Sequence, residues 1–357
     1  MSVIQCWEMR APGGPLALAR REINGLDAGQ VLIRVAGCGV CHTDLGYLYD
    51  GVRTRHGLPL TLGHEIAGVV EQAGRGAEDF VNQSVVVPAV IPCARCELCK
   101  RGRGSICKKQ IFPGNDVHGG FASHVVLPAE GLCPVDPGAL KTSGLALADL
   151  SVVADAITTP YQSILRSGLE KGDVAIFVGA GGVGSFGVQI ARALGAHVIA
   201  LDVNPERLSR VREHGAARTW DVREMKPRDV RAAVRDYIRA ENLPDAGWKI
   251  FETSGTAAGQ RQAFELLGFG AYLGVVGYTL DSVDVRLSNL MAFDATAQGS
   301  WGCLPAHYPA VVDMVLRGDV KVGPFVEHRP MSRINETFED IREKRLTKRP
   351  ILVPDFA

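Results

Sequence analysis

The stretch VAIFVGAGGVGSFGVQIARALGAHVIALD, residues 174–202, decides the fold. Its opening run VAIFV is uninterruptedly apolar, as a strand buried on both faces of a parallel sheet must be. Gly179-Ala180-Gly181-Gly182-Val183-Gly184 follows directly and fits G-x-G-x-x-G. A helical segment comes next, then a second strand HVIAL closed by Asp202. In this context each glycine has a task. Gly179 permits the tight turn, Gly181 lets a pyrophosphate approach the backbone, and Gly184 lets helix and strand pack closely. The helix N-terminus offers amide donors to phosphate. Asp202 can accept hydrogen bonds from both ribose hydroxyls and would repel a 2′-phosphate, so the expected cofactor is NAD rather than NADP. The competing reading is a glycine-rich turn without a ligand.

The alternation continues downstream through NPERLSRVREHG, WKIFETSG, QRQAFELLG and AYLGVVG, the pattern of a parallel sheet with helices on its faces. After Gly299 a helix around HYPAVVDMVLRG and a strand in PILVPDF remain. Upstream of Leu150 the chain reads instead as short strands and turns, among them VLIRVAGCGV, IAGVVEQAG and SVVVPAVIP. The 357 residues suffice for two domains with full cores. Lys+Arg 39 against Asp+Glu 39 gives no excess charge to attract nucleic acid or an anionic membrane. The start MSVIQCWEMR lacks a basic segment followed by an apolar core, so no signal peptide is evident. The uncharged run from Val174 to Ala191 is broken by its glycine turn and reads as strand, loop and helix start, not as a membrane span. Nine cysteines, an odd number, fit metal ligation and free thiols in a reducing cytosol, and a soluble cytoplasmic protein is expected.

Cys93, Cys96, Cys99 and Cys107, in PCARCELCKRGRGSIC, form the strongest local motif. Three cysteines at a repeated spacing of three wrap a loop around one centre, and the fourth returns after a glycine-containing lobe. Four thiolates suit a closed, structural Zn²⁺ site, with Zn–S near ~2.3 Å. Unrelated thiols or disulfides are the alternative. A closed site does no chemistry, so a second centre is needed. Cys41 in GCGVCHTD and His64-Glu65 in LGHE supply a thiolate, an imidazole and a nearby carboxylate, which become an open zinc site once a third ligand is found.

GCGVCHTD, GHE, the four-cysteine lobe, VGAGGVG and KRPILV, in this order, resemble the zinc-dependent alcohol dehydrogenases of the medium-chain dehydrogenase/reductase family. The resemblance spans essentially the whole chain. It implies a β-rich GroES-like catalytic domain at 1–156 carrying the zinc lobe (93–107), a Rossmann NAD-binding domain at 157–299, and a C-terminal segment, 300–357, returning to the catalytic domain. It implies two zinc ions per chain and a homo-oligomer, dimer or tetramer. Cys41 and His64 look like catalytic zinc ligands. Where many relatives place the third, a cysteine, this chain has Asp155 in VADAITTPY. One thiolate and one carboxylate still neutralise Zn²⁺; the blander role for Asp155 is a helix cap. Glu65 would support the site or exchange as an alternate ligand, and Asp44 would orient a ligand histidine or cap a short helix. Thr43 would hold the alcohol proton. The relay histidine of many relatives is replaced by Gly46, leaving the outward path to water, a ribose hydroxyl or another group. His42 and Arg349 would touch pyrophosphate, Arg207 the adenosine ribose, and Thr159 and Val276 the nicotinamide; solvated charge is the alternative for His42 and the two arginines.

A metal is required on magnitudes. Hydride leaves carbon readily only from an alkoxide, and a hydroxyl of pKa near ~15.7 stands about nine units away at pH 7, roughly 12 kcal/mol. Zinc can remove most of that deficit.

The strand VPAVIPC has Ala89 where relatives commonly place an aromatic over the substrate. GCGVCHTDLGYLYDGV, VPAVIPCARCELCKRGRGSIC and the following PGN…GGFASH are similar to the 6-hydroxycyclohex-1-ene-1-carbonyl-CoA dehydrogenases of anaerobic benzoyl-CoA degradation. That resemblance implies oxidation of an allylic ring alcohol, held as a CoA thioester, to the conjugated 6-oxo thioester. Arg53, Arg55, Lys108 and Lys109 are the candidate cations for the CoA phosphates. A dehydrogenase of free alcohols or polyols, and a non-catalytic NAD(H)-binding protein, are the other readings.

Overall fold

A computed structural model describes residues 2–356 and divides into two compact units. One comprises Met1–Thr158, Gly302–Gly318 and Val322–Ala357; the other comprises Thr159–Trp301 and Asp319–Lys321.

The second unit is built on a six-stranded parallel sheet. Its spatial order is Arg218–Asp221, His197–Asp202, Val174–Val178, Lys249–Glu252, Tyr272–Val275, Thr296–Gly299. This is a doubly wound Rossmann sheet, whose strand order reverses beside Val174–Val178, the first strand of the motif. All five residues of that strand are buried, which explains the unbroken apolar run. The helix Gly184–Ala193 lies close enough that a Cβ on Gly187 would meet the Phe177 ring at 2.4 Å. The helix Pro205–Glu213 starts cleanly because Asn204 accepts the Glu206 and Arg207 N–H groups and proline occupies the first turn.

The first unit carries a seven-stranded sheet and a small three-stranded one. The former runs Val326–Pro330, Arg349–Val353, Gln30–Gly39, Glu65–Ala73, Ser84–Val87, Cys133–Pro134, with His124–Pro128 also on Gln30–Gly39. Ser84–Val87 ends where Pro88 removes a donor from the ladder. The C-terminal strand pairs antiparallel with the GCGVC strand, Ile351 opposite Gly39 and Leu352 opposite Cys38. Among the described residues no helix is long and apolar enough to cross a membrane.

Candidate active site

The four lobe cysteines converge. Sγ–Sγ separations are 3.5 Å for Cys96–Cys99, 3.6 Å for Cys96–Cys107 and 3.5 Å for Cys107–Cys93. A disulfide would bring sulfurs to about 2.0 Å. Corners of a tetrahedron with ~2.3 Å metal–sulfur bonds lie roughly 3.8 Å apart, so the quartet fits an ion and not a pair of disulfides. The Arg95 backbone N–H, followed by that of Cys96, holds the Cys93 thiol down to about 6. Arg95, Lys100, Arg101, Arg103, Lys108 and Lys109 are all exposed around the lobe, positive charge that offsets an excess of thiolate over metal.

The second cluster gathers residues far apart in sequence. Strand Gln30–Gly39 delivers Cys41 to the N-cap of helix His42–Leu48. Gly63 turns the chain, with φ +95°, so that His64 enters just before strand Glu65–Ala73. Asp155 follows the 3₁₀ helix Leu147–Ala154. One ligand atom each from Cys41, His64, Glu65 and Asp155 lie within 4.8 Å of one another. Asp155 Oδ2 is 3.8 Å from Cys41 Sγ and 3.7 Å from His64 Nε2. Around a shared ion with bonds of ~2.0–2.3 Å, such atoms would be about 3.5 Å apart.

His64 supplies the test of fit. Its ring is buried, and neither nitrogen has a hydrogen-bond partner. An orphaned buried imidazole costs free energy that a bound cation restores. Burial opposes charging the ring, yet the carboxylates of Asp44 and Asp155 raise its pKa well above the usual value. The pocket favours positive charge, and a zinc ion held there would supply it while leaving His64 neutral.

Asp44 bridges two segments. Its Oδ2 accepts the Cys41 N–H at 2.9 Å from the first turn of the helix. Its Oδ1 accepts the Gly63 N–H at 3.1 Å and faces His64 Nδ1 at 3.5 Å. One buried carboxylate thereby joins the segments bearing two candidate ligands. Within the cluster Glu65 is already paired: Arg349 Nε donates to its Oε2 at 2.9 Å and Nη2 to its Oε1 at 2.5 Å. Arg349, expected at pyrophosphate, thus spends two of its nitrogens on Glu65, a contact absent from the sequence reading. No Cβ fits at Gly39, because it would lie 2.1 Å from Glu65 Oε2. Thr43 Oγ1 is 3.7 Å from Cys41 Sγ. The Phe112 ring centroid lies 4.9 Å from that of His64, and Ala89 is buried with Val90 and Phe112. Gly46 is buried in its helix, and His42 is exposed.

Residues 27–137 match the family model for the alcohol dehydrogenase GroES-like domain, and residues 182–317 match that for zinc-binding dehydrogenases. The chain belongs to the zinc-binding medium-chain alcohol dehydrogenases. It is 27% identical over 332 residues to an alcohol dehydrogenase of Geobacillus stearothermophilus, covering 92% of both chains. It is 26% identical over 336 residues to galactitol 1-phosphate 5-dehydrogenase of Escherichia coli K12, covering 91% of this chain and 92% of that one. The solved alcohol dehydrogenase of Aeropyrum pernix superposes with a TM-score of 0.86 at 26% identity, over 98% of this chain and 100% of that one. The protein is therefore an NAD-linked zinc oxidoreductase acting on CH–OH, with a GroES-like domain and a Rossmann domain.

In the Rossmann unit of this dehydrogenase the glycines separate by task. Gly179 has φ +104°, and a Cβ there would meet Ser254 N at 2.6 Å. A Cβ on Gly184 would lie 1.9 Å from the Gly179 carbonyl oxygen. Gly181 is open, with only Arg207 Nη1, at 3.7 Å, near its Cβ position. Gly182 and Val183 complete the turn before the helix. Asp202 is buried and already accepts the Ala180 N–H at 2.6 Å and the Asn204 N–H at 2.9 Å. One lone-pair site on each oxygen is taken, and others remain for ribose hydroxyls. Thr159 is buried at the start of its unit. Val276 donates its N–H to the Glu252 carbonyl at 2.9 Å. Glu252 was not singled out in the sequence. Its Oε1 accepts the Ser254 N–H, the Ser254 hydroxyl and the Gly255 N–H at 2.8, 2.5 and 3.1 Å, tying the turn beside Gly179. The only signal was an acidic residue closing the strand in KIFETSG.

Proposed function

We propose that this dehydrogenase oxidises a secondary alcohol with NAD⁺ at a zinc centre formed by Cys41, His64 and Asp155, a second zinc in the cysteine quartet being structural. The orphaned imidazole of His64, facing a thiol and a carboxylate, carries this reading. Zinc in that centre would supply the Lewis acidity that eases loss of the alcohol proton. The remaining work falls to the chain. Cys41 thiolate and Asp155 carboxylate together balance a dication. Asp44 holds the Cys41 and Gly63 backbones through hydrogen bonds of 2.9 and 3.1 Å and lies 3.5 Å from His64 Nδ1, placed to orient the ring once the other nitrogen binds metal. Thr43 takes the alcohol proton as it releases its own to water or a ribose hydroxyl, since Gly46 offers no relay side chain. NAD⁺, when bound, would supply the hydride acceptor, and Thr159 and Val276 are the residues that would wall its nicotinamide. Gly181 and the helix N-terminus would hold the pyrophosphate, and Asp202 and Arg207 the adenosine ribose.

The finer substrate reading is 6-hydroxycyclohex-1-ene-1-carbonyl-CoA, oxidised to the 6-oxo thioester in anaerobic aromatic degradation. Its support is the small Ala89, Gly46 in place of the relay histidine, and the similarity of the DLGYLYDGV and cysteine-lobe segments. Arg53, Arg55, Lys108 and Lys109 are exposed and offer cations to the CoA phosphates, although Arg55 already pairs with Asp116 at 3.2 Å. Binding energy from a remote CoA can position the ring carbinol. Steady-state kinetics on the thioester, its free carboxylate, simple alcohols and phosphorylated polyols, with each nicotinamide cofactor, test both levels. The expected order puts the thioester first and NAD⁺ far above NADP⁺. Preference for free or phosphorylated alcohols sinks the thioester; equal use of both cofactors sinks the role of Asp202.

We further propose a cytoplasmic homo-oligomer. None of the nine cysteines forms a disulfide, as expected in a reducing compartment. Thr296–Gly299 is an exposed sheet edge, and Tyr278, Leu280, Leu287 and Met291 add exposed apolar surface in the same unit. An unpaired edge beside apolar surface invites pairing with a second copy. Light scattering behind size exclusion is expected to give at least twice the 38.2 kDa chain mass at micromolar concentration. A monomer there refutes it.

A further inference from the structure

Tyr308 opens the helix Tyr308–Leu316 and is fully buried. Its hydroxyl donates to the Ala154 carbonyl and accepts the Ala89 N–H at 3.2 Å. The same carbonyl also accepts from Thr158 Oγ1 at 3.1 Å and from the Ala89 N–H at 3.4 Å. Three donors thus converge on the oxygen of the residue immediately before Asp155. A carbonyl oxygen offers two lone pairs, so this one is saturated and its peptide plane is held from several sides. Asp155 needs such support. It lies just past the 3₁₀ helix, at φ −140° and ψ −57°, so no regular helix fixes its backbone. A ligand carboxylate must nevertheless be held within about 0.5 Å of its working position.

We propose that Tyr308 is a positioning residue that anchors the Ala154–Asp155 peptide and so sets the reach of the Asp155 carboxylate toward Cys41 and His64. The proposal rests on the metal-centre reading above. It also makes Tyr308 the link between that ligand and Ala89, since one hydroxyl touches both backbones.

The test is chelator competition on the folded two-zinc protein. Tyr308→Phe keeps the ring and removes only the hydroxyl. The zinc site containing Asp155 is expected to weaken by about 10- to 100-fold, the usual effect of losing a partner that supports a ligand. The cysteine-quartet zinc is expected to be unchanged, as an internal reference, and KM for NAD⁺ is expected to hold while kcat falls. Equal weakening of both zinc sites, or lower thermal stability with unaltered zinc retention, would reduce Tyr308 to a packing residue and overturn the proposal. Asp155→Ala separates the two levels. If it binds both zinc ions with wild-type affinity, the metal-centre reading fails. If it loses one while Tyr308→Phe retains both, only this inference fails. Should Tyr308→Phe not fold, Thr158→Val removes another donor from the same carbonyl. It is expected to weaken the same zinc site to a lesser degree, and unchanged retention would again overturn the proposal.

Discussion

Asp155→Ala is expected to lower kcat/KM by at least about a thousandfold, ~4 kcal/mol of transition-state stabilisation, and to halve the zinc content. The argument is electrostatic and geometric. Without Asp155, the Cys41 thiolate alone would face a dication, and Glu65 could step in only at the expense of its pairing with Arg349. The fold should survive, because Asp155 retains 18% side-chain exposure and the cysteine quartet is a separate set of ligands. Kinetics, zinc analysis and a melting curve on one preparation decide the matter. Full activity with two zinc ions per chain would show that the third ligand lies elsewhere.

The largest loss of stability is expected from Arg349→Met. Arg349 and Glu65 have side-chain exposures of 6% and 0% and meet in a two-pronged contact. Removing one member of a buried pair leaves an uncompensated charge and typically costs about 3–5 kcal/mol. Replacing both with apolar groups of similar size is often nearly neutral, so Glu65→Leu/Arg349→Met should recover much of that loss. Equilibrium denaturation of the two single variants and the double variant closes the cycle. A single-variant cost below about 1 kcal/mol would mean that the pair is solvated and contributes little.

Legibility in the sequence followed distance along the chain. The cysteine quartet spans only fifteen positions by its numbering, so spacing alone pointed to one centre, and the sulfurs meet at 3.5 to 3.6 Å. The glycine turn was equally local, and the structure gives Gly179 a positive φ, Gly181 an open side and Gly184 a backbone near-contact. Cys41, His64 and Asp155 share no local pattern; only resemblance to a family joined them beforehand. The Glu65–Arg349 and Tyr308–Ala154 contacts, 284 and 154 positions apart, left no trace in any window. Thr296–Gly299 escaped notice because an exposed edge strand has no apolar alternation. Val326–Pro330 also escaped, since its alternating burial is carried by charged side chains.

The pairing of Arg349–Val353 with the GCGVC strand has a consequence for how the enzyme is born. A ribosome delivers Cys41, His64 and Asp155 early and Arg349 hundreds of residues later, after the whole parallel sheet has emerged. The Rossmann unit is nearly continuous in sequence, so it can fold during synthesis while the metal-bearing unit still lacks an inner strand. Until that strand arrives, the edge at Gly39 is bare and Glu65 has no guanidinium beside it. Zinc captured by the nascent chain would therefore meet a half-built cradle, with Glu65 free to compete as a ligand. Pairing the C-terminal strand is thus coupled to committing Glu65 to its partner.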